Sequence, residues 1–224
     1  MASGTVALLA DGAWETVLTD EEHVRRASLN NEARRTLFTL GRLVLRRHLG
    51  ERLGMDPRDV PIRILESGRL VLDAGAPGVA DSSSTSSLVI SLAHSGDRAL
   101  AVSGARPLGV DLEIMKPRKE SLLKYITHED ERPVLGALAP TAHEQLYAVW
   151  TLKEAVLKGI GTGLRTGPRR LRITPGGLAP PATSADSGAV TGPEWRRATV
   201  LDTDERTWNA CFQVADGYAT AIAW

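Results

Sequence analysis

The chain has 224 residues, enough for one large domain or two small ones with an ample core. Lysine plus arginine (27) equals aspartate plus glutamate (27), so a general nucleic-acid coat or a polybasic membrane binder is disfavoured. Cys211 stands alone, which excludes a disulfide scaffold or a cysteine zinc cluster, and 42% hydrophobic with 24% charged residues matches an ordinary soluble cytosolic protein.

The apolar stretch 6–10 lacks a basic flank and runs into Asp11 and Glu15, so it does not read as a signal peptide. No apolar run approaches a bilayer span. Residues 21–49 read as helical with a break at 29–31, where Asn30 or Asn31 caps a second segment that Gly50 ends. At helical spacing Leu37, Leu40, Val44 and His48 share one face, so His48 reads as a core residue. Arg35, Arg42 and Arg46 form a separate stripe. The span 25–52 holds eight arginines against Glu32 and Glu51, an imbalance that suits either an anionic ligand or a solvated helix face.

Short strands are expected over 60–65 and 69–72 around the turn Glu66-Ser67-Gly68, followed by a loop over 73–87. The apolar run 88–93 and residues 98–103 read as a hairpin turned by Ser95-Gly96-Asp97. His94 stands at its mouth, either as a phosphate donor or as a satisfied turn histidine. A strand is expected over 107–114 and a short helix over 119–126. Another helix is expected to start at Thr127, limited by Pro133, and a long one to cover 141–159. Gly159, Gly161 and Gly163 then stop the chain, 175–193 reads as loop, and strands are expected over 196–202, 207–214 and 218–224.

A repeat reorganises these elements. Phe38-Thr-Leu-Gly-Arg-Leu-Val-Leu-Arg46 aligns with Trp150-Thr-Leu-Lys-Glu-Ala-Val-Leu-Lys158 at an offset of 112. After each helix come a Pro-Arg strand start (Pro57-Arg58, Pro168-Arg169), a long loop and a hairpin, with Ala99, Ala101 and Val102 matching Ala219, Ala221 and Ile222. The order predicts an α+β fold of two pseudo-symmetric halves, 1–106 and 107–224. Each is a small, mostly antiparallel sheet packed with helices, and the active site is expected in a cleft between them.

Asp111 and Glu113 lie two apart on the strand Leu108-Gly-Val-Asp-Leu-Glu-Ile, so both carboxylates share a face roughly 6–7 Å apart, with Val110, Leu112 and Ile114 facing the core. Side by side they suit a hard divalent ion, or else an exposed strand face. Glu154 and Lys158 share a helical face at i and i+4, either as a solvated salt bridge or as a third metal ligand or base with a phosphate-binding lysine. Gly161-Thr-Gly lacks the following lysine of a phosphate-binding loop, and no Gly-x-Ser-x-Gly elbow is present.

The order Gly109-Val-Asp111-Leu-Glu113, then 38 residues after Asp111, then Trp150-Thr-Leu-Lys153-Glu154-Ala-Val-Leu-Lys158 resembles the paired signature of the 4′-phosphopantetheinyl transferases. Gly68-Arg69 and Ser91-Leu-Ala-His94-Ser resemble that family's upstream motifs, and the length resembles its surfactin-type pseudodimeric branch. The resemblance implies transfer of phosphopantetheine from coenzyme A, as co-substrate, to a serine of an acyl or peptidyl carrier protein, with release of adenosine 3′,5′-bisphosphate. It implies Mg²⁺, or Mn²⁺, on Asp111, Glu113 and Glu154, with Glu154 also the base and Lys158 on the leaving bisphosphate. It implies coenzyme A phosphate contacts from Arg69 and His94, with Lys153 close by and Arg42 and Arg46 from the first half. Arg46 is the repeat counterpart of Lys158, and Ala93 stands where the family often has serine. A cytoplasmic monomer without nucleic-acid or membrane partners is expected. It would serve carrier proteins of peptide or polyketide assembly that are recognised around 115–138. The competing readings are a metal-dependent phosphodiesterase or nuclease and a non-catalytic coenzyme A or carrier-protein binding module.

Overall fold

The computed structural model describes the backbone of residues 3–7 and, in full, residues 14–66, 68–73, 75–76, 88–119, 121–161, 166–174 and 195–224. The loops expected over 73–87 and 175–193 fall largely outside the described residues, as does Gly163. The chain divides into two compact units, Ala2–Arg106 and Pro107–Trp224.

In the first unit, β1 (Ser3–Ala7) pairs with β5 (Arg98–Gly104), which pairs with β4 (Val89–Ser95), all antiparallel. Helices α1 (Trp14–Val17), α2 (Asp20–Ala27) and α3 (Glu32–Leu53) lie between β1 and a 3-10 turn at Pro57–Asp59. A separate two-stranded ribbon joins β2 (Ile62–Ile64) to β3 (Leu70–Leu72). Thr19 and Glu22 form a reciprocal capping box at the start of α2, and the Asn31 side chain accepts from the Ala33 and Arg34 amides to start α3. Helix α3 runs past Gly50 and ends at Gly54, whose φ of 66° is left-handed. Gly50 serves packing instead: a β-carbon there would stand 2.9 Å from the Met55 carbonyl oxygen. The core is Leu40, Val44, Leu45 and Leu49 of α3 against Val60, Leu72, Ile90, Ala99 and Ala101. His48 lies in this interior and bonds Ser103 Oγ at 2.8 Å. Burial, then the charge of Arg52, pushes its pKa down to about 4, so it is neutral in the fold.

The second unit is a five-stranded antiparallel sheet in the order β6-β10-β9-β8-β7. The strands are β6 (Gly109–Ile114), β7 (Arg172–Ile173), β8 (Arg196–Leu201), β9 (Thr207–Ala215) and β10 (Tyr218–Ala223). Helices α4 (Ser121–Ile126), α5 (Leu135–Leu138) and α6 (Ala142–Ile160) accompany it, with 3-10 turns at Glu129–Val134 and Pro168–Arg170. The helix expected from Thr127 is replaced by that first turn. The Thr127 hydroxyl donates back to the Leu123 carbonyl, and His128 caps instead. Thr141 and Glu144 box the start of α6, and Gly161 (φ 84°) ends it. The inner face of α6 builds the core with Leu171, Ile173, Val200, Trp208, Phe212 and Ala221.

The halves share a plan. In each, the first strand pairs with the last strand of the closing hairpin, so Thr5 faces Ala101 in one register and Asp111 faces Ala221 in the other. Pro57-Arg58 and Pro168-Arg169 both open 3-10 turns rather than strands. Among the described residues no helix is long and apolar enough to cross a membrane.

Candidate active site

Strand β6 meets helix α6 backbone to backbone at Gly109, where a β-carbon would lie 2.0 Å from the Ala155 carbonyl oxygen. Only glycine allows this approach, and by the two-residue strand period Asp111 and Glu113 then share the helix-facing side with Gly109. Val110 and Leu112 are in the core as expected, with Ile114 half-buried at the strand end. They take the face opposite the carboxylates and pack outside the cluster built on α6.

Asp111 and Glu154 are 5% and 7% exposed. Lys158 Nζ lies 2.8 Å from Asp111 Oδ1, so the lysine reaches across to the strand. Asp111 Oδ2 and Glu154 Oε1 are buried without a hydrogen-bond partner. Burial above all, then the charges of Asp111 and Glu113, raises the Glu154 pKa from 4.5 to about 7, against the opposing pull of Lys158. Three acids and one ammonium thus influence one another, with negative charge in excess and two oxygens unsatisfied. Orphaned carboxylate oxygens of this kind fit a hard divalent cation. As the side chains stand, no three acids, histidines or cysteines among the described residues are gathered closely enough to form a complete cation cluster.

Lys153, expected near coenzyme A phosphates, is instead fully buried. Its ammonium donates to Glu131 Oε2 at 2.7 Å and to the Ile126 carbonyl at 2.8 Å, while Glu131 Oε1 accepts from the Ile173 amide at 2.7 Å. A fully buried ammonium paired with a carboxylate is shut off from solvent, so Lys153 ties together α6, the Glu129–Val134 turn and, through Glu131, β7. The sequence signal for Glu131 is indirect: Lys153 lies between the apolar residues Leu152 and Val156 of one helix, and a buried lysine calls for an acid partner.

In the first unit Arg46 is likewise committed. Arg46, 3% exposed, donates to Glu22 Oε2 at 2.7 Å and to the carbonyls of Pro57, Arg58 and Val60 at 2.9–3.1 Å. These bonds make Arg46 a brace joining α2, α3 and the following turn. Arg42 lies 3.5 Å from Glu22 and over the Phe38 ring, and its Nη1 is buried without a partner. Both line a recess of about 1030 Å³ that Arg25, Arg58, Arg63 and several acids share. His94 is exposed at the end of β4 opposite Ala99, its ring against α3 where Gly41 leaves room. Arg69 follows the turn at Gly68 (φ 82°), and its carbonyl accepts from the Leu65 amide at 2.9 Å. Ala93 is buried.

A profile of the 4′-phosphopantetheinyl transferase superfamily matches residues 107–223. The 4′-phosphopantetheinyl transferase HetI of Nostoc sp. is 30% identical over 198 residues, covering 80% of this chain and 81% of its own. The 4′-phosphopantetheinyl transferase Sfp of Bacillus subtilis is 27% identical over 146 residues, 64% of this chain and 59% of that one. A phosphopantetheinyl transferase of Thraustochytrium sp. is 28% identical over 175 residues, 71% and 58%. This chain thus spans under two thirds of the last two relatives and most of the first. With the paired motifs on β6 and α6, these matches show that the chain belongs to the 4′-phosphopantetheinyl transferase superfamily, in its surfactin-type branch, and is a transferase of the phosphopantetheinyl group.

Proposed function

We propose that the chain moves the 4′-phosphopantetheine arm of coenzyme A to a serine hydroxyl of an acyl or peptidyl carrier protein, releasing adenosine 3′,5′-bisphosphate. The observation that carries this reading is the pair of buried, partnerless oxygens on Asp111 and Glu154 beside Lys158. Asp111, Glu113 and Glu154 are the residues to hold Mg²⁺, or Mn²⁺ in its place. A cation bound there supplies neutralising charge for the pyrophosphate as its anhydride opens.

Glu154 takes the serine proton, directly or through water. A carboxyl whose pKa is about 7 in the free protein accepts and returns a proton near neutrality. The serine oxygen forms the new bond to the phosphorus that carries pantetheine, and the bond from that phosphorus to the bridging oxygen breaks. Lys158, whose side chain is 32% exposed, donates to the departing phosphate. His94 and Arg69 bind coenzyme A phosphates, and the Arg42 Nη1 offers a further donor. Arg46 and Lys153 support the fold. The protein acts as a cytoplasmic monomer, and Met115–Leu138 contributes to carrier recognition.

The test is the mass of apo carrier proteins from fatty-acid, polyketide and peptide assembly after incubation with coenzyme A and Mg²⁺. A gain of one phosphopantetheine unit, lost with a chelator, is expected. No gain on any carrier, with plasmid cleavage under the same conditions, would replace this reading with the phosphodiesterase one.

A further inference from the structure

Helix α6 places Lys158 one turn beyond Glu154, yet its ammonium sits 2.8 Å from Asp111 Oδ1, on the opposite element. The aspartate side chain is 7% exposed and the lysine side chain 32%, so the lysine keeps contact with water while its charge enters a buried anionic pair. One positive charge does not balance two buried carboxylates, and Asp111 Oδ2 and Glu154 Oε1 keep no partner. The ammonium therefore fills the place of a counter-ion incompletely.

The geometry points to Lys158 as a tethered counter-ion that holds the carboxylates in the cation-free protein and competes with the divalent ion for Asp111. This rests on the proposed cation site at Asp111 and Glu154. An ammonium and a divalent ion repel strongly at contact distance in a partly buried site, so binding of one displaces the other from the aspartate. A flexible four-carbon stem makes the displacement local, since the ammonium can swing away without moving α6. Once released, the same ammonium is available to a substrate phosphate. Cation and pyrophosphate consequently favour each other's binding, because each stabilises the swung-out lysine.

The experiment is calorimetric titration of Mg²⁺, with Mn²⁺ by spin resonance as a second probe, on the full chain without coenzyme A at pH 8.5. Wild type, Lys158→Met, Lys158→Arg and Asp111→Asn are compared. Lys158→Met is expected to bind either ion about ten-fold more tightly than wild type, and Lys158→Arg to resemble wild type, since only the charge competes. Saturating Mg²⁺ is also expected to raise the melting temperature of Lys158→Met by more than it raises that of wild type. Equal or weaker binding by Lys158→Met, with Asp111→Asn still abolishing binding, would overturn the counter-ion role and leave the cation site standing. Unchanged binding in Asp111→Asn, or no binding by any variant, would overturn both.

Discussion

The two units begin from matching helices and put matching positions to opposite uses. Arg42 and Arg46 of α3 stand where Glu154 and Lys158 stand on α6. In α3 the second position is saturated: Arg46 meets one carboxylate and three carbonyls, which locks α2 and a 3-10 turn onto the helix. In α6 the second position is half-exposed and tied to a single carboxylate oxygen. Thr39 and Thr151, also equivalent, are both buried and both donate to the carbonyl four residues back, so the helical frame is shared and the difference lies in the charges. Of two matching helices, one uses these positions for rigidity and the other leaves its charges under-neutralised, which is the condition a cation or phosphate site requires.

The sharpest way to break this contrast is to remove the acid. Glu154→Ala is expected to lower the transfer rate by at least about 10²-fold while the protein stays folded, since the group lost is a buried charge rather than a brace. Normal turnover by a well-folded variant rejects the assignment. Next comes the pair of basic residues. Arg46→Met is expected to cost about 3–5 kcal/mol of stability, because the Pro57, Arg58 and Val60 carbonyls lose this donor and buried Glu22 keeps only the more distant Arg42, at 3.5 Å, to balance its charge. Lys158→Met is expected to lose activity and to lower the denaturant midpoint in cation-free buffer, because buried Asp111 loses its counter-ion, with the midpoint recovered at saturating Mg²⁺. Recovery of Arg46→Met by Mg²⁺ to the same extent would erase the distinction between the two helices.

Acidity separates the units further. Glu154 has a folded pKa of about 7 against an ordinary 4.5, so its contribution to stability is full below 4.5 and lost as pH rises through 7. The shift corresponds to on the order of 3 kcal/mol at most. His48 runs the other way: its folded value of about 4 lies below 6.5, so its contribution is full above 6.5 and lost as pH falls through 4. Hydrogen exchange in the cation-free protein is expected to show α6 loosening as pH rises from about 4.5 to 7 and α3 loosening as pH falls from about 6.5 to 4. Glu154→Gln is expected to flatten only the first response, and an unchanged α6 profile in that variant contradicts the assignment. The smallest effect is expected from Gly41→Ala. Its new β-carbon would stand 3.0 Å from His94 Cδ2, so the ring must shift by tenths of an ångström. The KM for coenzyme A is expected to rise roughly three-fold with little change in kcat; an unaltered KM argues against His94 as a phosphate contact.

Much of this arrangement is legible from residue order. The two-residue period of β6 puts Asp111 and Glu113 on one face, and the apolar stripe of α3 marks His48 as interior. What residue order does not carry is which polar group meets which across the fold. The arginine stripe reads as an anion site or a solvated face because its partner, Glu22, belongs to another helix, and the carbonyls that satisfy Arg46 lie in and just after a turn expected as strand. The burial of Lys153 is hidden for the same reason, its partner Glu131 lying in a stretch expected as ordinary helix. Gly109 is a single residue whose necessity appears only once α6 is laid against it. Strand β7 is two residues long, too short for any period to show.

The most direct measurement is anomalous diffraction from crystals of the full chain soaked in Mn²⁺. The account predicts one strong peak within coordination distance of Asp111 Oδ2 and Glu154 Oε1, with the Lys158 ammonium moved off Asp111. A peak elsewhere, or an undisturbed Lys158–Asp111 contact at saturating Mn²⁺, would contradict it.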